Sequence, residues 1–161
     1  MRTDWRTILT AAIAAGLAAA VVEMLVVLPI QGLLGASPVR VFQGIAAGAL
    51  GRAALRGGLG SAGLGVCFHT LISVVAAGLY ALAATRWTLL LRRPALMGIL
   101  YGVPVYLVMN FVVIPLSALG FAFPNSLVLF SLSFGVHLFA FGLPIGLVCR
   151  WVMGRPPAAH P

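Results

Sequence analysis

The chain has 161 residues, of which 62% are hydrophobic and 7% are charged, with a formal net charge of +8. A water-soluble domain carries about 25% charged residues, so this composition cannot cover a water-facing surface. Four spans of about 20 residues, with their connections, use up the length and exclude a separate soluble catalytic domain. The positive charge comes from arginines set between apolar runs, with no contiguous basic stripe. It therefore speaks for membrane topology and lipid headgroups, and against nucleic acid as a partner.

The first predicted span covers residues 7–34, around an apolar stretch at 8–30 that is broken by Thr10 and Glu23. Met1-Arg2 and Ala18-x-Ala20 imitate a signal peptide, but the apolar run continues through Leu25, Val26, Val27 and Leu28. A retained span is expected. Ser37-Pro38 then makes a helix start, a cap followed by proline in the first turn. The apolar piece at 41–50 is too short to cross a bilayer. With Arg40, Arg52 and Arg56 around it, it reads as an interfacial or re-entrant helix over 38–51, ended by a joint at Gly57, Gly58 and Gly60.

The second span is predicted at 61–84, followed by the interface anchor Arg86, Trp87, Arg92 and Arg93. The third follows Pro94 and covers 95–119, with kinks expected at Pro104 and Pro115. An uncharged turn at 120–126 contains Phe123-Pro124-Asn125. The fourth span covers 127–149 and ends at Arg150-Trp151, before a proline-rich tail at 155–161 that is expected to be disordered. The fold class is thus all-α: an integral membrane four-helix bundle, residues 1–154 forming one domain.

Arginine placement sets an expected orientation. Arg2, Arg6, Arg86, Arg92, Arg93, Arg150 and Arg155 share one side, against Arg40, Arg52 and Arg56 on the other. Both termini are expected in the cytoplasm, with the latter three arginines meeting lipid phosphate at the outer face.

Polar residues inside spans are costly and commonly mark function. Glu23, His69, Asn110 and His137 each lie about 8 to 10 residues inside the outer end of their span, at 1.5 Å of rise per residue. One polar group per span therefore falls at a similar level. Helical spacing sets Gly16 and Ala19 on the face of Glu23, and Ser73, Ala76 and Tyr80 on that of His69. It likewise sets Gly102 and Tyr106 with Asn110, and Ser133 with His137. Ser73, Tyr80, Tyr106 and Ser133 are accordingly expected to line a polar pocket.

Such a cluster suits a proton relay. Two histidines and a carboxylate also suit a metal, with His69, His137 and Glu23 as candidate ligands, or haem held axially by the two histidines. No ligand pair one turn apart on a single helix supports these, and no particular cofactor is implied. The plainest alternative is a set of hydrogen bonds that fixes helix register. Gly98-x-x-x-Gly102 and Gly142-x-x-x-Gly146 are expected to permit close helix packing, within one chain or between chains. Cys67 and Cys149 fall near opposite membrane faces, beyond disulfide reach. There is no P-loop, dinucleotide fingerprint or nucleophile elbow, so enzymatic activity has no support. Weak internal similarity relates Gly44-Ile45-x-x-Gly48 to Gly98-Ile99-x-x-Gly102, and Val26-Val27-Leu28-Pro29 to Val112-Val113-Ile114-Pro115.

The stretch Leu100-Tyr101-Gly102-Val103-Pro104-Val105-Tyr106-Leu107-Val108-Met109-Asn110-Phe111-Val112-Val113-Ile114-Pro115-Leu116-Ser117 resembles a core segment of small, uncharacterised bacterial inner-membrane proteins with about four spans. The similarity extends from Val41-Phe42-Gln43-Gly44-Ile45-Ala46 to the final helix. The resemblance implies a bacterial inner membrane and the same helix count, and no activity. Three readings follow: a transport or proton-handling module, a haem or metal binder, and an accessory subunit packing in a homo-oligomer or larger complex through its glycine faces.

Overall fold

The structure, a computed structural model, describes residues 4–120 and 126–154. The tail at 155–161 and most of the turn at 120–126 lie outside the described residues. Every regular element among them is helical. We label the helices α1 (Trp5–Leu33), α2 (Pro38–Leu50), α3 (Gly58–Arg86), α4 (Pro94–Leu116) and α5 (Leu127–Met153). All except α2 are long and apolar enough to cross a membrane. A tighter helical stretch, Gly51–Arg56, leads from α2 to α3, and the single turn Leu89–Arg92 precedes α4.

Local chemistry moves several boundaries from their expected places. Asp4 caps α1, its carboxylate accepting from the Arg6 N–H, so the helix starts at Trp5. Ser37 caps α2 with proline in the first turn, as expected. The stop, however, is Gly51 at φ 70°, a left-handed conformation that a side chain disfavours, and not the later glycines. Gly60 lies inside α3. Gly154 at φ 77° ends α5 four residues beyond the expected 149.

The prolines act in two ways. Pro29 and Pro104 sit inside continuous α-helix. Pro115 and Pro144 each follow a stretch of wider π turns, Met109–Val113 in α4 and His137–Gly142 in α5. A proline has no N–H to give the carbonyl four residues back and crowds it, and a wider turn relieves both problems. Asn110 lies in the first of these stretches and His137 opens the second.

Small residues hold the bundle. α1 packs against α3 and α5, α5 against α4, and α2 lies on α3. The buried face of α1 is Ala11, Ala12, Ala15, Gly16, Ala19 and Ala20, ending at Glu23. A Cβ on Gly16 would come 2.5 Å from the Val74 Cα, so α1 and α3 touch backbone to backbone. The α4–α5 seam is closer still. A Cβ on Gly98 would lie 2.6 Å from the Gly142 carbonyl oxygen, and Gly102, Gly142 and Gly146 are likewise shut against backbone. The two glycine motifs thus serve one another within the chain. In lipid, where apolar contact gives no preference between helix and solvent, such close approach is a main source of association. Gly44, by contrast, has open space at its Cβ position, so its motif does not take the place that Gly98 takes.

The outer surface is rich in exposed apolar side chains, including Leu25, Leu71, Leu79 and Phe139. Such a surface is foreign to water and natural to lipid. Trp5, Trp87 and Trp151 are all exposed at the end of the bundle that carries the termini, where Arg6 stacks over Trp5. They form an interfacial aromatic belt at that end. Both cysteines are free, Cys67 exposed and Cys149 buried.

Candidate functional site

The small-residue seam of α1 runs as far as Glu23, and there the helices part. Beyond it lies a cavity of about 560 Å³ walled by all five helices. Glu23, His69, Asn110 and His137 all line it, together with Ser73 and Ser133. The remaining wall is apolar, with Val27, Ile72, Val105, Met109, Leu132 and Phe141 among its members. The cavity extends past Gln31 to Leu34, the far end of α1 from the termini. It shares the walls Gln31, Val41, Ile45, Ile72, Met109 and Ile114 with a second, mostly apolar cavity of about 810 Å³ beneath α2. Arg40 lines only the second, and one of its guanidinium nitrogens donates to the Leu55 carbonyl at 2.9 Å.

Antiparallel packing brings the acid and one histidine together. With Gly16 against Val74, the next two turns of α1 lie beside the preceding turn of α3, so His69 reaches across to Ala20 and Glu23. Its Nε2 donates to the Ala20 carbonyl at 3.2 Å and lies 3.7 Å from Glu23 Oε2. Both side chains are almost enclosed, at 9% exposure for Glu23 and 13% for His69. Among the described residues His69 is the one polar contact of that carboxyl. On α5, His137 Nδ1 donates to the Ser133 carbonyl at 2.9 Å, and the ring packs on Tyr106 at 5.2 Å between centroids. Asn110 Nδ2 donates to the Tyr106 carbonyl at 2.9 Å. Ser73 is fully buried and donates to the His69 carbonyl at 2.8 Å.

The two tyrosines of the expected lining lie elsewhere. Tyr80 shares a helical face with His69 but sits three turns nearer the termini, about 16 Å along the helix. There it stacks edge-on to Tyr101 at 5.1 Å, and its hydroxyl donates to the Leu90 carbonyl at 3.0 Å. Tyr101 donates in turn to the Ala76 carbonyl at 2.8 Å. With Ile145, Cys149 and Phe141 these rings belong to the packed core toward the terminal end, so the cavity lies in one half of the bundle. Tyr106 is turned into α5, its ring boxed by Phe130, Phe134 and His137. It supports the wall from behind.

Among the described residues, no three His, Cys, Asp or Glu side chains come together as a metal-ligand group. A joint metal site of His69, His137 and Glu23 therefore has no geometric basis. The arrangement can do something else. A carboxylic acid beside a neutral imidazole holds the same proton count as a carboxylate beside an imidazolium, so the pair can pass a proton without changing net charge. The features that sequence reading missed are the wide turns carrying Asn110 and His137. Pro115 and Pro144 were their signal, five residues after Asn110 and seven after His137.

Comparison with family models, with curated proteins and with solved structures gives no match for this chain.

Proposed function

We propose that the chain is a small proton-handling or transport module of the bacterial inner membrane, with both termini in the cytoplasm and the cavity in the outer half of the bilayer. The observation that carries this reading is the convergence of Glu23, His69, Asn110 and His137, one from each long helix, on the wall of a single cavity. A carboxyl group in an apolar setting is expensive unless it is paired, and such groups in membranes line ion and proton paths. The arginine distribution supports the orientation. Arg40, Arg52 and Arg56 then stand at the outer headgroups. The accessory-subunit reading rested on glycine faces, and those of α4 and α5 are occupied within the chain.

The chain offers an unusually clean test, because Asp4 and Glu23 are its only acidic side chains. In infrared difference spectra of the protein in liposomes, between acid and alkaline buffer, a protonated carboxyl band should appear in an apolar environment. It should persist in Asp4→Asn and vanish in Glu23→Gln, with the folded yield unchanged. A wild-type spectrum without that band, or a band that survives in Glu23→Gln, would remove Glu23 from any proton-handling role.

A further inference from the structure

Hydrogen-bond direction on the cavity wall restricts what the cavity can hold. A backbone carbonyl only accepts, so each contact to one assigns the proton to the side chain. His69 spends its Nε2–H on Ala20, which leaves Nδ1 as an acceptor in the neutral ring. His137 spends its Nδ1–H on Ser133 and keeps Nε2 as an acceptor. Asn110 commits an amide hydrogen to Tyr106 and keeps its Oδ1. Ser73 gives its hydroxyl hydrogen to His69. Glu23, whose one polar contact among the described residues is His69, contributes carboxyl oxygens. Four helices thus bring acceptors to one largely apolar space, and four of their donor hydrogens are turned into the protein's own backbone. The donors left on the wall, the second Asn110 hydrogen, the Ser133 hydroxyl and the Gln31 amide, are uncharged, whereas Glu23 brings an acid. An anion would meet the Glu23 carboxyl and no arginine there.

We propose that this cavity binds a hydrophobic organic cation bearing at least one N–H, an alkyl or arylalkyl ammonium, in competition with a proton on Glu23. The proposal rests on the proton-handling reading and adds the ligand class. The ammonium would sit at the Glu23 level, its hydrogens shared among Glu23, Asn110 and the histidines. Its apolar body would lie against Val27, Ile72 and Met109. The Phe141 ring, which lines the cavity, favours positive charge as well. Among the described residues, the titratable or charged groups that share the cavity wall with Glu23 are His69 from α3, 3.7 Å away, and His137 from α5. Asn110 on α4 is uncharged, with Tyr106 behind it. On α2, Arg40 lines only the second cavity. It keeps the cationic head at the Glu23 end.

The test uses three probes with one body: 4-phenylbutylamine, 4-phenylbutanol and 4-phenylbutyrate, titrated calorimetrically against the full chain in detergent. The amine should bind with the highest affinity, weaken as pH falls, and release a proton on binding in acid buffer. Glu23→Gln should weaken the amine at least about tenfold, the scale felt when one partner of a desolvated charge pair is lost. Glu23→Asp, which keeps the charge, should bind within that factor of wild type, and Asn110→Leu should weaken the amine alone. Equal or tighter binding of the butyrate or the alcohol would overturn the proposal, as would undiminished amine binding in Glu23→Gln. A titrating infrared band at Glu23 without amine binding would overturn the ligand class while leaving the proton-handling reading intact.

Discussion

Gly142→Leu should abolish the folded monomer. Gly142 sits where α5 passes α4, and any Cβ there would strike the Gly98 carbonyl and the Gly102 backbone. These are main-chain atoms of a helix, which cannot swing aside as the tip of a side chain can. Seating a leucine requires the two helices to separate, and separation forfeits the close contact along the seam from Pro94 to Gly146. Overpacking a well-filled core costs about 1–3 kcal/mol, and a backbone clash on this scale belongs at or beyond the upper end. Size-exclusion profiles in mild detergent should shift from a monodisperse peak to aggregate. Gly44→Ala is the matched control, because its Cβ position is open and the added methyl favours helix. Its profile should be unchanged. A monodisperse Gly142→Leu protein would mean that the α4–α5 seam is not what holds the bundle together.

Glu23→Leu should do the opposite and raise thermal stability. If the polar layer existed to fix helix register, removing its carboxyl would destabilise the bundle. Yet among the described residues the carboxyl has one polar contact, at 3.7 Å, and the histidine that makes it is already bonded to the Ala20 carbonyl. Deleting the carboxyl therefore strands no partner. An acidic residue at the centre of a membrane helix costs about 2.5–3.5 kcal/mol. Exchanging a whole buried ion pair for apolar residues is often neutral or stabilising by about 1–4 kcal/mol, and removing one partner is costly only where it leaves a charge behind. Here it leaves a neutral imidazole still bonded to Ala20. A gain of roughly 1–3 kcal/mol in a detergent unfolding assay is expected. That gain would identify the acid as a cost retained for function. A loss of similar size would instead make the layer a structural one.

How much of this was legible beforehand follows from the physics of each feature. The spans could be read because lipid tolerates only long apolar helices, and their ends fell within a few residues because arginine, tryptophan and proline mark them. Glu23, His69, Asn110 and His137 all line one cavity, and a constant helical rise is what gave them a similar expected level. Faces were readable too, but a face is not a depth. Tyr80 shares the stripe of His69 and lies three turns away from the cavity, since periodicity repeats along the whole helix. Tyr106 shares the stripe of Asn110, yet the tight α4–α5 seam turns it into Phe130 and Phe134. Nor could spacing show whether Gly98 and Gly142 would meet in one chain or between two. That depends on which helices become neighbours. The direction of the His69 hydrogen bond was beyond reach for the same reason: its acceptor lies on α1, 49 residues away in sequence.

The cavity reaches Leu34, at the end of α1 opposite the termini, and stops at the packed core around Tyr80 toward them; access from the far end alone is the expected result. Substituted-cysteine labelling tests it directly. In a chain carrying Cys67→Ala and Cys149→Ala, the variants Ser133→Cys on the cavity wall and Ala81→Cys in the packed core below are placed in sealed vesicles of known orientation. A membrane-impermeant thiol reagent should modify Ser133→Cys from the side opposite the termini only, and should leave Ala81→Cys untouched from either side. Labelling of Ser133→Cys from the terminal side, or from neither side in a folded protein, would contradict the account.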